Sequence, residues 1–171
     1  MNAKKIIVFT DGSCIGNPGP GGWAAILFEG EAKKPTTVLS GHVSDTTNNR
    51  MEMIAVIEAL RHVHENHLQR CRIILHSDSA LVVNTLNRGW KRKANLDLWE
   101  ELDELNEELD AEFVWVEAHA KNRWNNECDR IAFSESTKAK KKNARGISSP
   151  ATPRKTLVKK NVKGSGQSSL F

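Results

Sequence analysis

Lys4-Lys5-Ile6-Ile7-Val8-Phe9-Thr10-Asp11-Gly12-Ser13 is the stretch from which the fold is read. It is a short apolar run that stops abruptly at Asp11-Gly12-Ser13, the pattern of a buried strand entering a turn. Working outward, Asn17-Pro18-Gly19-Pro20-Gly21-Gly22 reads as a loop between antiparallel neighbours. It lacks the Gly-Lys-Ser/Thr ending of a phosphate-cradling loop. Trp23 to Glu29 and Thr37 to Val43 read as the next two strands. Thr46-Thr47-Asn48-Asn49 offers caps for a helix running to about His64, and Arg72 to His76 is a strand of branched aliphatics. Ser77-Asp78 caps a helix that ends near Asn87, with Gly89 as its stop signal. Leu98, Leu102, Leu105 and Leu109 keep helical spacing on a strongly acidic helix. Glu112 to Val116 is a last short strand, and Trp124 to about Lys138 a last helix. Five strands interleaved with helices in this order predict an α/β architecture built on a mixed sheet.

Charge divides the 171-residue chain in two. Residues 1–137 carry a formal charge of −6 and residues 138–171 carry +10. An acidic body with a basic end is not a simple DNA-binding domain, and bound divalent cations would give the body a way to approach phosphates. From residue 138 the composition turns to Lys, Ser, Pro, Thr and Gly, which predicts a disordered basic tail over 138–171. No segment approaches the roughly 18 apolar residues that span a bilayer. The N-terminus has no cleavage-type sequence, so neither membrane nor export is expected. Cys14, Cys71 and Cys128 are odd in number and widely spaced, which argues against a disulfide framework or a zinc site and suits a reducing cytoplasm.

Four carboxylates have ordinary readings when taken singly. Asp11 serves as a turn-former, Asp78 as a helix N-cap, Glu52 as the far member of a capping box with Asn49, and Asp129 as a helix-surface acid. Helical phase weakens two of these. At about 100° per residue, Glu52 projects among Ala55, Val56, Ala59 and Val63, while Glu58, Arg61 and His62 hold the polar arc. Asp129 falls between Ala132 and Phe133, with Arg130 and Ser134 on the polar side. Carboxylates on core-facing arcs are costly unless paired or bound to metal. Mg²⁺ prefers oxygen ligands and works with phosphates, and a pair of such ions assists in-line displacement at phosphorus. Spacing alone does not bring the four together.

Phe9-Thr10-Asp11-Gly12-Ser13-Cys14, with Gly16-Asn17-Pro18-Gly19-Pro20-Gly21-Gly22, resembles the opening signature of the type 1 ribonucleases H. Thr47-Asn48-Asn49-Arg50-Met51-Glu52 resembles the second motif of that family, and Ser77-Asp78-Ser79 the third. Trp115-Val116-Glu117-Ala118-His119-Ala120, followed by Asn126-Glu127-Cys128-Asp129, resembles the fourth. The match runs in order over residues 1–137, and four motifs in order are far more specific than any one of them.

The resemblance implies a ribonuclease H-like fold, a five-stranded mixed sheet flanked by helices. It implies hydrolysis of the RNA strand of RNA–DNA hybrids by a monomer, leaving 5′-phosphate and 3′-hydroxyl ends, in the removal of primers and hybrids during DNA replication. Asp11, Glu52, Asp78 and Asp129 would hold two Mg²⁺ ions, with Mn²⁺ as a substitute, and His119 would assist proton transfer or product release. Cys14, Asn17, Asn48 and Asn49 would line the minor groove of the hybrid, where the 2′-hydroxyl distinguishes RNA from DNA. Thr47 would help hold a phosphate of the DNA strand.

The chain departs from the family pattern in three places. Ala118 stands where a glycine is usual, and Ala80 where many relatives have a glutamine that contacts ribose. A long basic, Trp-rich insertion is reduced to Arg88-Gly89-Trp90-Lys91-Arg92-Lys93, leaving Trp90 as its substrate-contacting aromatic. Phosphate contacts dominate affinity for nucleic acid, so the body alone should hold hybrids less firmly. The +10 tail would compensate by counterion release. The ending Gln167-Ser168-Ser169-Leu170-Phe171 resembles the short peptide by which bacterial proteins bind the DNA sliding clamp. Leu170 and Phe171 would enter an apolar pocket and Gln167 would fix orientation, although Ser168 replaces the usual aliphatic residue. Two rival readings stay open: a resolvase- or integrase-type nuclease of the same fold, and a non-catalytic hybrid-binding adaptor delivered to the clamp.

Overall fold

The computed structural model describes residues 4–66, 68, 70–118 and 121–148. Five strands form one sheet, β1 (Lys5–Cys14), β2 (Gly19–Glu29), β3 (Thr37–Thr46), β4 (Arg72–Ser77) and β5 (Glu112–Trp115). Their spatial order is β3-β2-β1-β4-β5, with β1, β4 and β5 mutually parallel and β2 antiparallel to both β1 and β3. The helices are α1 (Asn48–Glu65), α2 (Ala80–Arg88), α3 (Leu96–Leu109) and α4 (Arg123–Ala144). The mixed sheet and helix order are those expected from the sequence. No helix among the described residues is long and apolar enough to cross a membrane.

Strand alternation sorts the apolar residues onto two faces. Ile6, Val8, Leu27 and Leu75 pack with Ile54, Ile57 and Leu60 of α1 and Leu102 of α3 in the larger core. Phe9, Ala24, Ile26 and Phe28 form a thinner core with Cys128 and Ala132 of α4. Arg61 and Glu58, expected on the polar arc of α1, are covered as well. Arg61 is buried and hydrogen-bonds both Glu58 and Glu101, so α3 roofs that arc through a charge network.

The first strand does not end at Asp11. It runs on to Cys14, with Asp11 paired to Ala24 and Gly12 to Trp23. Nor is the Gly-rich stretch wholly a loop, because β2 already begins at Gly19. Its glycines are needed for close approach. A Cβ on Gly12 would lie 2.3 Å from the Glu52 backbone nitrogen, and one on Gly22 would lie 2.2 Å from the Ala132 carbonyl. The small residues therefore let α1 and α4 lie directly on opposite faces of the same end of the sheet.

Helix α4 also corrects the boundary at residue 138. It continues six residues further, to Ala144, into the region expected to be a disordered tail. Ala139 is buried, the Lys142 amine hydrogen-bonds His42 Nε2 at 2.9 Å, and Asn143 Nδ2 donates to the Ser44 carbonyl at 2.7 Å. The physical reason is anchoring by polar side chains, which hydrophobic periodicity does not report, on lysines that are good helix formers. The expected core position of Phe133 is also corrected, since it is 58% exposed. The buried face of α4 runs instead through Asn125, Cys128, Ala132, Glu135, Ser136 and Ala139.

Candidate active site

Strands β1 and β4 are hydrogen-bonded up to the pair Thr10↔Ser77 and then part. Asp11 and Asp78 are the next residues on each strand, so the two carboxylates stand where the parallel strands diverge. Crevices at the carboxyl ends of such strands are the usual ligand site of α/β sheets. Asp11 is only 6% exposed, and Oδ1 accepts a 2.7 Å bond from its neighbour's Gly12 N–H. Asp78 is not the N-cap of α2. Ser79 is, accepting from the Val82 N–H. Asp78 is thereby left to accept from Asn125 Nδ2 at 3.1 Å, while its backbone carbonyl takes the Trp115 indole N–H at 3.3 Å.

Glu52 arrives from α1. Thr47 caps that helix through the Arg50 N–H, so the capping box between Asn49 and Glu52 is not formed. Glu52 Oε1 instead accepts from Asn48 Nδ2 at 2.8 Å, and the Ser79 hydroxyl donates to its carboxylate. The start of α1 is further fixed by a two-pronged Arg50–Asp97 ion pair, with a 3.3 Å bond from Arg50 to Asn95.

Asp129 comes from α4. Asn122 caps this helix by accepting from the Trp124 and Asn125 N–H groups, both at 3.1 Å. Asn125 and Asp129 are four residues apart and so share a helix face. Asn125 is fully buried, and its Oδ1 has no hydrogen-bond partner among the described residues.

The charges of the other three acids are all felt at Asp11. Burial, then the charge of Asp78, against the Gly12 hydrogen bond and with Asp129 and Glu52 adding less, push the Asp11 carboxyl up to about 8. Burial also raises Glu52, opposed by the Ser79 and Asn48 hydrogen bonds and reinforced by Asp78. Among the described residues, Asp11, Glu52 and Asp78 are in no ion pair. A buried acid raised by its acidic neighbours, with no ion-pair partner among the described residues, belongs to a donor set suited to hard divalent cations. Among the described residues, no three such groups stand ready to close on a single ion. Open oxygen sets that leave room for water and phosphate are the usual arrangement for Mg²⁺.

A rim of polar residues adjoins the acids. The Cys14 thiol donates to the Thr46 carbonyl at 3.3 Å and to the Gly19 carbonyl at 3.5 Å, and burial pushes its pKa up, keeping it neutral. Asn17 Oδ1 accepts the Asn48 backbone N–H at 3.0 Å, tying the Gly-rich corner to the start of α1. Cys14, Asn17, Thr47 and Asn48 are thus brought together beside Glu52, with Asn49 exposed next to them. Trp90 lies apart, 47% exposed just past the left-handed Gly89 that ends α2. His119 and the closing Gln167, Leu170 and Phe171 lie outside the described residues. Sequence reasoning missed Asn125 and Ser79. Asn125 had a signal in its spacing to Asp129, whereas Ser79 passed for a cap and nothing more.

A mixed sheet of this strand order, with acids at its diverging parallel strands and on two facing helices, is the arrangement to compare with known proteins. A family profile for RNase H matches residues 3–137. A ribonuclease H of Acetivibrio thermocellus is 40% identical over 153 residues, covering 81% of this chain and 99% of the relative. One from Syntrophus aciditrophicus is 44% identical over 143 residues, covering 75% and 79%. Among solved structures, LC11-RNase H1 in complex with an RNA/DNA hybrid superposes with a TM-score of 0.69 at 26% identity, covering 79% of this chain and 99% of that one. The N-terminal RNase H domain from Mycobacterium tuberculosis gives a TM-score of 0.73 at 24% identity, covering 82% and 99%, a likeness of fold. The chain belongs to the RNase H family, enzymes that hydrolyse RNA paired to DNA and depend on divalent metal.

Proposed function

We propose that the chain cuts the RNA strand of RNA–DNA hybrids, with Asp11, Glu52, Asp78 and Asp129 holding two Mg²⁺ ions and leaving 5′-phosphate and 3′-hydroxyl ends. One observation carries this reading: Asp11 is buried near three other acids and has no ion-pair partner among the described residues. Bound divalent ions would supply that charge, activate water and stabilise the leaving oxygen. The chain's own residues hold the acids in place. Asn125 orients Asp78, Asn48 and Ser79 orient Glu52, and the Gly12 N–H orients Asp11. Cys14, Asn17, Thr47 and Asn48 form the adjoining rim on which ribose and phosphate would be read, and His119 would serve proton transfer or product release.

The complex of the LC11 relative with an RNA/DNA hybrid supports the choice of substrate. A role in clearing primers and replication hybrids, with Gln167, Leu170 and Phe171 engaging a sliding clamp in the cytoplasm, belongs to the same proposal. The test offers end-labelled hybrid, duplex DNA and branched DNA with Mg²⁺ or Mn²⁺. Cleavage of the hybrid's RNA strand alone is expected. Equal cutting of branched DNA would favour the resolvase reading, and tight hybrid binding without turnover the adaptor reading.

A further inference from the structure

The helical continuation of α4 past residue 138 places a cluster of cations beside the rim just described. Row by row across the sheet, Asp11 pairs with Ala24 and Ala24 with Ser40. Further toward the same end, Cys14 pairs with Gly21, Gly21 with Val43, and Gly19 with Thr46. Ser44, which accepts from Asn143, therefore lies at the level of Cys14 and between Val43 and Thr46. The last turn of α4 ends next to the strand that leads directly into Thr47 and Asn48. It begins at the acids: Asn125 touches Asp78, and Asp129 adds to the field on Asp11. One helix thus runs from the catalytic carboxylates to the outer edge of the substrate rim. At 1.5 Å per residue, Lys141 is about 18 Å along the axis from Asp129.

The end of the helix is held by a chain of polar contacts. Glu135 is buried; its Oε2 pairs with His42 Nδ1 at 2.8 Å, and Oε1 takes the Lys138 amine at 2.6 Å and the Ser40 hydroxyl at 3.3 Å. His42 thus bridges β3 and α4, Nδ1 to Glu135 and Nε2 to the Lys142 amine. Lys138 and Lys142 are used in this anchor. Lys140, Lys141 and Arg145 are exposed and make no ion pair or hydrogen bond with another side chain among the described residues. Cations at a helix C-terminus offset its dipole, but that needs no anchoring of the turn to a neighbouring strand.

We propose that Lys140, Lys141 and Arg145 form an ordered phosphate-binding ledge that grips the substrate's sugar–phosphate backbone beyond the cleavage site. The inference rests on the hybrid-cleaving reading and adds a second anchoring surface to it. An acidic body needs one, since its basic segment at Arg88–Lys93 is short and Arg92 is already paired with Asp103. The ledge differs from a flexible basic tail in being fixed in register with the acids, so it positions the duplex as well as retaining it.

The test uses the full chain and the neutral triple variant K140Q/K141Q/R145Q, which keeps good helix formers in the turn; circular dichroism confirms the fold. Binding of a labelled 20-base-pair hybrid is followed by anisotropy from 50 to 200 mM KCl, with Ca²⁺ in place of Mg²⁺. The dissociation constant is expected to rise five- to tenfold at 100 mM KCl, and the slope of log K against log[KCl] to shrink by about 2–3, near 0.9 per lost phosphate contact. In Mg²⁺, KM rises with kcat held. As a second variant, Asn143→Ala, which frees the turn without removing charge, should raise KM about twofold. An unchanged salt slope in the triple variant, with hybrid cleavage intact, overturns this inference alone. A wild type that binds hybrids but does not cut them overturns the proposed function instead.

Discussion

Helix α1 contributes to two clusters of buried charge, and they are resolved in opposite ways. Toward its C-terminal end, Arg61 lies between Glu58 and Glu101 and bonds to both. Burial pushes Glu58 up and Arg61 pulls it back, so the charges answer one another within the protein. At its first turn, Glu52 joins Asp11, Asp78 and Asp129, and each nearby acid makes ionisation of Asp11 harder. The first cluster is scaffold, completed by the chain itself. The second has no such answer in its ion pairs among the described residues, and the proposed divalent ions would complete it.

The difference predicts which substitutions touch activity and which touch stability. Asp78→Asn keeps the hydrogen bonding shape and removes a ligand charge, so kcat should fall at least about 10³-fold, or about 4 kcal/mol, with the melting temperature held or raised. Arg61→Ala does the converse. It strands two half-buried glutamates and should cost about 1–3 kcal/mol in urea unfolding, while turnover per folded molecule is unchanged. Asn125→Ala lies between them: loss of the group that orients Asp78 should lower kcat by about 10- to 100-fold with little change in KM.

The smallest effect is on the metal-free protein. Asp11 has a folded pKa near 8 against an ordinary value of 3.8. The folded state therefore holds a proton that the unfolded state has released. Stability from this group is full below about pH 4 and is lost as pH rises through 8. Asp11→Asn should flatten that profile and stabilise the metal-free protein by about 1–3 kcal/mol at pH 8.5, a gain that thermal melts in chelator would show. Equal pH profiles for wild type and variant would mean that Asp11 is not strained by its neighbours.

How far the sequence could be read follows the same division. The five strands and the four helices were legible because apolar period reports them directly, while motif order singled out Asp11, Glu52, Asp78 and Asp129 as candidates. Helical phase spoke against an ordinary surface role for Glu52, but for Asp129 it leaned on a core position for Phe133 that the fold does not give it. The extension of β1 through Asp11 was not, because Asp-Gly-Ser composes a turn as readily as a strand end buried under a helix. The glycines at 21 and 22 look like loop punctuation until Met51 of α1 and Ala132 of α4 are seen resting on them. The end of α4 was hidden for a related reason. Its anchors, Glu135, Lys142 and Asn143, are polar, and a run of lysines has the composition of a tail.

The most direct test of the central claim is Mn²⁺ binding to the metal-free protein, read from the paramagnetic resonance of the free ion with and without a hybrid. The account predicts bound Mn²⁺ that is strengthened by the hybrid, abolished in Asp78→Asn and unaffected in Glu58→Gln, whose acid belongs to the cluster already neutralised by Arg61. Equal binding by wild type and Asp78→Asn, or none by wild type even with hybrid present, would contradict it.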